Sequence, residues 1–83
     1  MNYTVVWTQA AERRLTQLWL GSRIRAEIRR AADEIDAALA RNPHDCGESR
    51  DEGRRIVLVF PLGVLVDIDE AQRQVRVLSV WNF

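Results

Sequence analysis

The stretch that decides the fold is residues 54–83, RRIVLVFPLGVLVDIDEAQRQVRVLSVWNF. Three β-rich runs are separated by two turn signals, PLG at 61–63 and the polar segment 69–74, a pattern typical of an antiparallel meander. The runs 56–60 and 64–66 are apolar at every position, whereas a strand with one wet face alternates apolar and polar residues. Both faces of the predicted sheet therefore need cover.

Upstream of the meander, the sequence predicts one strand and two helices. Residues 3–7, YTVVW, are β-branched or aromatic and favour a strand. Thr8 is a suitable N-cap for the first helix, and Gly21 is a typical helix stop. Apolar positions at helical spacing over residues 24–39 predict the second helix, and Pro43 is expected to end it. The two helices are therefore expected to form a hairpin in which each has one apolar face.

The order of elements predicts a single α+β domain over residues 1–83. Its topology is βααβββ, with the helical hairpin packed on one face of a small antiparallel sheet. Nothing remains to cover the second face, so an apolar strip is expected to face outward and to bind a second copy of the chain or another protein. The strand residues from which that strip is expected to be drawn are Val57, Val59, Val64, Val66, Leu78 and Val80.

Composition excludes several classes of function. The chain has 12 Lys+Arg and 12 Asp+Glu, and this zero net charge argues against a general polyanion binder. Cys46 is the only cysteine, so no internal disulfide can form, and a free thiol fits a reducing cytoplasm. We expect no secretory signal and no membrane span. The loop residues 44–48 lack paired ligand spacing, so neither a metal nor a cofactor is expected.

Several groups of residues along the chain, in this order, are similar to those of a known protein family. The segments concerned are YTVVW at 3–7 with AAE at 10–12, LARNP at 39–43, GESR at 47–50 with GRR at 53–55, and DID at 67–69 leading to VRVLSV at 75–80. In sequence and spacing they resemble the RelE/ParE superfamily of toxins from bacterial type II toxin–antitoxin modules. The resemblance covers nearly the whole chain.

The resemblance implies a cytoplasmic toxin that inhibits growth, serves in modules such as those for plasmid stabilisation, and is neutralised by a cognate antitoxin. The antitoxin would wrap the toxin and cover the apolar strip, giving a toxin–antitoxin hetero-oligomer or a homodimer of the free chain. DNA would be contacted only through the antitoxin, and no membrane would be involved. The residues expected to contact the antitoxin are Val57, Val59, Leu78, Val80, Trp81 and Phe83.

The resemblance leaves two mechanisms open. ParE-type members inhibit DNA gyrase by binding it, and RelE-type members cut messenger RNA on the ribosome. RNA cleavage needs a base for the 2′-hydroxyl proton and cations for the phosphate. The family's usual basic or His/Tyr cluster is missing, because WNF at 81–83 follows the last strand and no arginine follows Gly63 closely. Inhibition by binding is therefore preferred, with RNA cleavage as the alternative and a degenerate toxin that only binds antitoxin as a third interpretation.

Candidate site residues follow from these mechanisms. If the chain is an enzyme, which the sequence leaves open, His44 or Glu48 would be the base, and Arg54 and Arg55 would hold the phosphate. The arginines expected to contact a target or a phosphate are Arg50, Arg54, Arg55 and Arg76.

Overall fold

The computed structural model describes residues 2–83, which form a five-stranded sheet and two α-helices. In chain order the elements are β1 (Thr4–Trp7), α1 (Gln9–Leu20), α2 (Arg25–Arg41), β2 (Glu48–Ser49), β3 (Arg54–Val59), β4 (Leu62–Asp69) and β5 (Gln74–Asn82). Short 3₁₀ turns at Pro43–Asp45 and Asp51–Gly53 lie between α2 and β3. The predicted α+β class, with one strand and a helical hairpin ahead of a meander, is confirmed.

The sheet has the order β1-β5-β4-β3-β2. Adjacent strands are antiparallel except for β1, which runs parallel to β5. The sheet is therefore mixed rather than purely antiparallel, because the long connection from β1 to β5 permits the parallel pairing that a tight turn would exclude. Strand β2 lies in a segment expected to be loop, since its two residues, Glu48 and Ser49, carry no β pattern of their own and are held by pairing with β3.

The ends of α1 follow the predicted signals, and α2 begins after a short turn. The Thr8 hydroxyl accepts a hydrogen bond from the backbone N–H of Ala11 at 3.2 Å, and α1 ends before Gly21. Helix α2 begins only at Arg25, because the Ser22 hydroxyl accepts the N–H of Ile24 at 2.9 Å and closes a turn before the helix. In the part of the chain that the structure describes, neither helix combines the length and hydropathy needed to cross a membrane.

The core lies between α2 and the inner face of the sheet. Ile35 and Leu39 of α2 are fully buried against strand valines such as Val64 and Val77, all at 0% exposure. Trp7 closes one side of this core, where its indole N–H donates to a carboxylate oxygen of Asp36 at 2.7 Å, so the polar end of the ring is paired. Among the described residues, no buried side-chain nitrogen or oxygen lacks a hydrogen-bond partner.

The outward strip differs from the prediction in its membership. The residues expected in it that lie in the core instead, each at most 5% exposed, are Val57, Val64, Val66 and Val80. Successive side chains of a strand point to opposite faces of the sheet. Because these four valines face the helices, neighbouring residues such as Ile56, Leu58 and Leu65 face outward. Val59 is half-buried against the core, and Leu78 is half-buried beside the irregularity in the β4–β5 register. The prediction of apolar residues on both faces holds, but Val57 and Val80 are unavailable to a partner on the surface.

Candidate interaction surface on the open sheet face

The face of the sheet that the helices leave uncovered carries a contiguous group of apolar side chains, here named the apolar patch. Leu58, Phe60 and Phe83 are 58%, 57% and 56% exposed, which is high for side chains of this size. Phe60 and Phe83 contact each other edge to face, with ring centroids 5.7 Å apart. The members of the apolar patch are Ile56, Leu58, Phe60, Leu65, Trp81 and Phe83.

Trp81 forms the middle of the apolar patch. Gly63 pairs with Leu58 on one side and with Trp81 on the other, so the three positions form one row across the sheet. A Cβ atom added to Gly63 would lie only 2.5 Å from the Trp81 indole, which shows that the ring lies directly against the glycine. The absence of a side chain at Gly63 therefore lets Trp81 lie low on the sheet, half-buried beside the exposed Leu58.

A charged row borders the apolar patch. Arg54, Asp67 and Arg76 are paired in register across β3, β4 and β5. Arg76 donates from Nε and Nη2 to the two oxygens of Asp67 at 3.1 and 2.7 Å, a bidentate pair. The hydrogen bond and charge of Asp67 raise the pKa of Arg76 above its ordinary value. Arg76 lies beside the apolar patch, and its guanidinium is already paired with a carboxylate.

The other predicted arginines differ in how far the chain already occupies them. Arg55 donates from Nε to the Cys46 carbonyl at 2.7 Å and from Nη2 to that of Gly47 at 3.3 Å, so it holds the loop before β2. Arg50 donates to the Ser49 carbonyl at 3.1 Å and lies 3.9 Å from the Glu48 carboxylate. Over residues 2–83, the Arg54 side chain alone of these predicted arginines makes neither a hydrogen bond nor an ion pair.

His44 belongs to a second polar group, named the His44 cluster, which consists of Tyr3, His44, Glu70 and Arg73. Glu70 accepts a hydrogen bond from the Tyr3 hydroxyl at 2.6 Å, and its same oxygen lies 2.5 Å from His44 Nε2. Arg73 donates to the Tyr3 hydroxyl at 3.0 Å and stacks over its ring. The sequence singled out only His44, because its partners are 26 or more residues away along the chain.

The His44 cluster predicts a specific pH dependence of stability. The hydrogen bond from His44, followed by that from Tyr3, lowers the pKa of Glu70 below its ordinary 4.5. Because the folded-state pKa is the lower one, ionised Glu70 stabilises the fold at pH above 4.5, and this contribution is lost as the pH falls through the folded pKa. Glu70→Gln is therefore expected to lower the free energy of unfolding at neutral pH and to lose its effect in acid.

Urea denaturation at neutral pH and near pH ~3 measures this difference. Glu12→Gln is the matched control, since the Glu12 side chain makes no hydrogen bond or ion pair within residues 2–83. An effect of Glu70→Gln that stays constant with pH would show that the hydrogen-bond geometry, rather than the carboxylate charge, carries the contribution.

The helical side of the molecule carries a different concavity. A groove of about 480 Å³ between α1 and α2 is lined by Trp7, Leu15, Trp19 and Asp36 among others. Arg25 stacks over the ring of Trp19, 4.7 Å from its centroid. Within the described residues, no three His, Cys, Asp or Glu side chains come together in a way that would hold a metal ion.

The arrangement of strands and helices is shared with solved toxin structures. The toxin–antitoxin complex RelBE2 of Mycobacterium tuberculosis superposes with a TM-score of 0.79 at 22% identity, covering 100% of this chain and 93% of that one. A double mutant of the Escherichia coli toxin RelE in the free state gives 0.72 at 14% identity, over 99% and 84% of the two chains. The ParDE system of Pseudomonas aeruginosa gives 0.72 at 13% identity, over 96% and 95%.

The chain has the fold of the RelE and ParE toxins. The RelE/ParE fold expected from the sequence is thereby confirmed over the whole described chain. No family model and no curated protein matches the sequence itself. The identities to these RelE and ParE structures are 13–22%, so the likeness is one of fold.

Proposed function

We propose that this chain is the toxin of a bacterial type II toxin–antitoxin module and that its antitoxin covers the apolar patch. The observation that carries the proposal is the patch itself, where Leu58, Phe60 and Phe83 are each more than half exposed. An exposed apolar surface of this kind on a small domain normally marks a site that binds another protein. RelBE2 and ParDE, which share the fold, are toxin–antitoxin systems, and this supports an antitoxin as the partner.

For the toxic activity, we propose inhibition by protein binding in the cytoplasm, with DNA gyrase as the target that the sequence resemblance implies. The charged row favours this mechanism, because Arg76 is neutralised by the two hydrogen bonds to Asp67. Arg55 donates from Nε and Nη2 to loop carbonyls, so these two donors cannot move to a phosphate as its charge develops in a transition state. Arginine and aromatic side chains beside a patch of this type are the usual anchors of protein interfaces.

Ribosome-dependent RNA cleavage is the second candidate. One observation favours it, namely that Arg54 lies at the border of the open face with no partner among the described residues. An unpaired guanidinium at that place could bind a backbone phosphate. The two mechanisms differ in the first cellular process that stops.

Induction of the chain alone in a bacterial host, with labelled thymidine and labelled methionine supplied together, distinguishes the two mechanisms. We expect thymidine incorporation to fall first, because gyrase inhibition stops replication before translation. Earlier loss of methionine incorporation would favour RNA cleavage, and Arg54→Ala should then restore growth. Unchanged growth and incorporation at confirmed expression would overturn the proposed toxic activity and leave a chain that only binds antitoxin.

A further inference from the structure

A second concavity lies at the other end of β3 from the aromatic pair of the apolar patch. It has a volume of about 300 Å³, at the lower end of the range for small-ligand pockets. Arg54 begins β3 at this concavity, whereas Phe60 follows the end of the same strand. The side chains that decide its chemistry are His44, Ser49, Arg54, Arg55 and Glu70.

The walls of this concavity carry an excess of positive charge. Arg54 and Arg55 contribute two guanidinium groups, and Glu70 contributes the one carboxylate. Arg55 is fixed in place by the carbonyls of Cys46 and Gly47, so its guanidinium is preorganised. Arg54 has no competing partner within residues 2–83, so it can turn its donors to a ligand.

The negative charge of Glu70 is partly offset by Arg73, and its oxygens are held by other members of the His44 cluster. Glu70 accepts from the Tyr3 hydroxyl at 2.6 Å, faces His44 Nε2 at 2.5 Å, and lies 3.5 Å from Arg73. These contacts lower the pKa of Glu70 and keep it ionised as an internal acceptor for the His44 cluster. The imidazole of His44 is thereby oriented by Glu70 while it forms one wall of the concavity.

We infer that this concavity binds a phosphomonoester group. The free guanidinium of Arg54 can donate to two oxygens of a phosphate at once, and a hydroxyl such as that of Ser49 can donate one further hydrogen bond. Arg55 adds its positive charge and the N–H groups that the loop carbonyls leave unused. A doubly charged terminal phosphate gains more from two guanidinium groups than a singly charged diester does. The ligand is either a free mononucleotide or the terminal phosphate of a nucleic acid strand. The inference concerns binding by the purified chain and does not rest on the proposed toxic activity.

Calorimetric titration of the purified chain at fixed ionic strength tests this inference. The probes are inorganic phosphate, adenosine 5′-monophosphate, and a short oligonucleotide with or without a 5′-phosphate. We expect saturable binding of phosphate, and at least tenfold weaker binding in Arg54→Gln. Arg13→Gln removes the same charge from α1 at another site, where Arg13 has no side-chain partner in the described chain, and should bind as the parent does.

The probes also separate the two sources of the phosphate. Mononucleotide binding as tight as that of the phosphorylated oligonucleotide assigns the site to free nucleotides. Tenfold preference for the phosphorylated oligonucleotide assigns it to strand ends. Equal binding of the two oligonucleotides would overturn the inference in favour of backbone contact, as would equal weakening by Arg54→Gln and Arg13→Gln. Failure of every monoester to bind at millimolar concentration would also overturn it.

Discussion

Replacing Leu58 with aspartate is expected to weaken binding of the cognate antitoxin at least ~100-fold, because an unpaired carboxylate would be buried in an apolar interface at a cost of several kcal/mol. Leu58 is 58% exposed in the free chain, so the substitution should leave the fold and its thermal stability nearly unchanged. The measurement is the affinity between the purified variant and the antitoxin, together with a thermal melt of the variant alone.

Leu20→Asp provides a closely matched control. Leu20 is 59% exposed, the same residue type at the same exposure, but it ends α1 on the helical side of the molecule. The Leu20→Asp variant should therefore bind the antitoxin with the affinity of the parent chain. If the two variants lose affinity equally, the antitoxin contacts both sides of the molecule. If Leu58→Asp keeps parental affinity, the apolar patch is not the antitoxin surface.

Replacing Gly47 with alanine is expected to destabilise the fold by about 3 kcal/mol, which is a large effect for a single methyl group. Gly47 has φ of +59°, and a Cβ atom there would overlap the backbone carbonyl oxygen of Ile56. Backbone on both sides must shift, so the pairing of β2 with β3 should be lost together with the two Arg55 hydrogen bonds to this loop.

Gly53→Ala separates the steric effect from the backbone conformation. Gly53 has φ of +75° but nothing lies within 4 Å of its Cβ direction, so this variant should cost only about 1 kcal/mol. Urea denaturation of the two variants measures the difference directly. Equal loss of stability would mean that the left-handed backbone, rather than the contact with Ile56, determines the cost at both positions.

The order of elements could be predicted because each has a local signal. Thr8 caps α1 and Gly21 follows its end, and the apolar stripe of α2 is long enough to show its period. The register of the strands could not be predicted in the same way. Val57 and Leu58 are both apolar, so hydrophobicity does not say which of them faces the helices, and only the packing against α2 decides it.

The contacts between polar side chains, in the His44 cluster and in the charged row, were harder to predict from the sequence than the register. Tyr3 and Glu70 are 67 positions apart and meet because β1 lies beside β5 at the end where the β4–β5 turn is found. Their side chains carry no local pattern that would link them. Arg76 was expected to be available to a target, but its pairing with Asp67 depends on the register between β4 and β5, which the sequence does not specify.

The position of β5 has a consequence for synthesis on the ribosome. This strand is the latest of the described strands in chain order, yet it lies inside the sheet, between β1 and β4. A chain made from its N-terminus therefore holds β1 without its partner until residues 74–77 have left the exit tunnel. Strands β2, β3 and β4 can pair as they emerge, but the apolar patch is completed only when β5 brings Trp81 and Phe83 beside them.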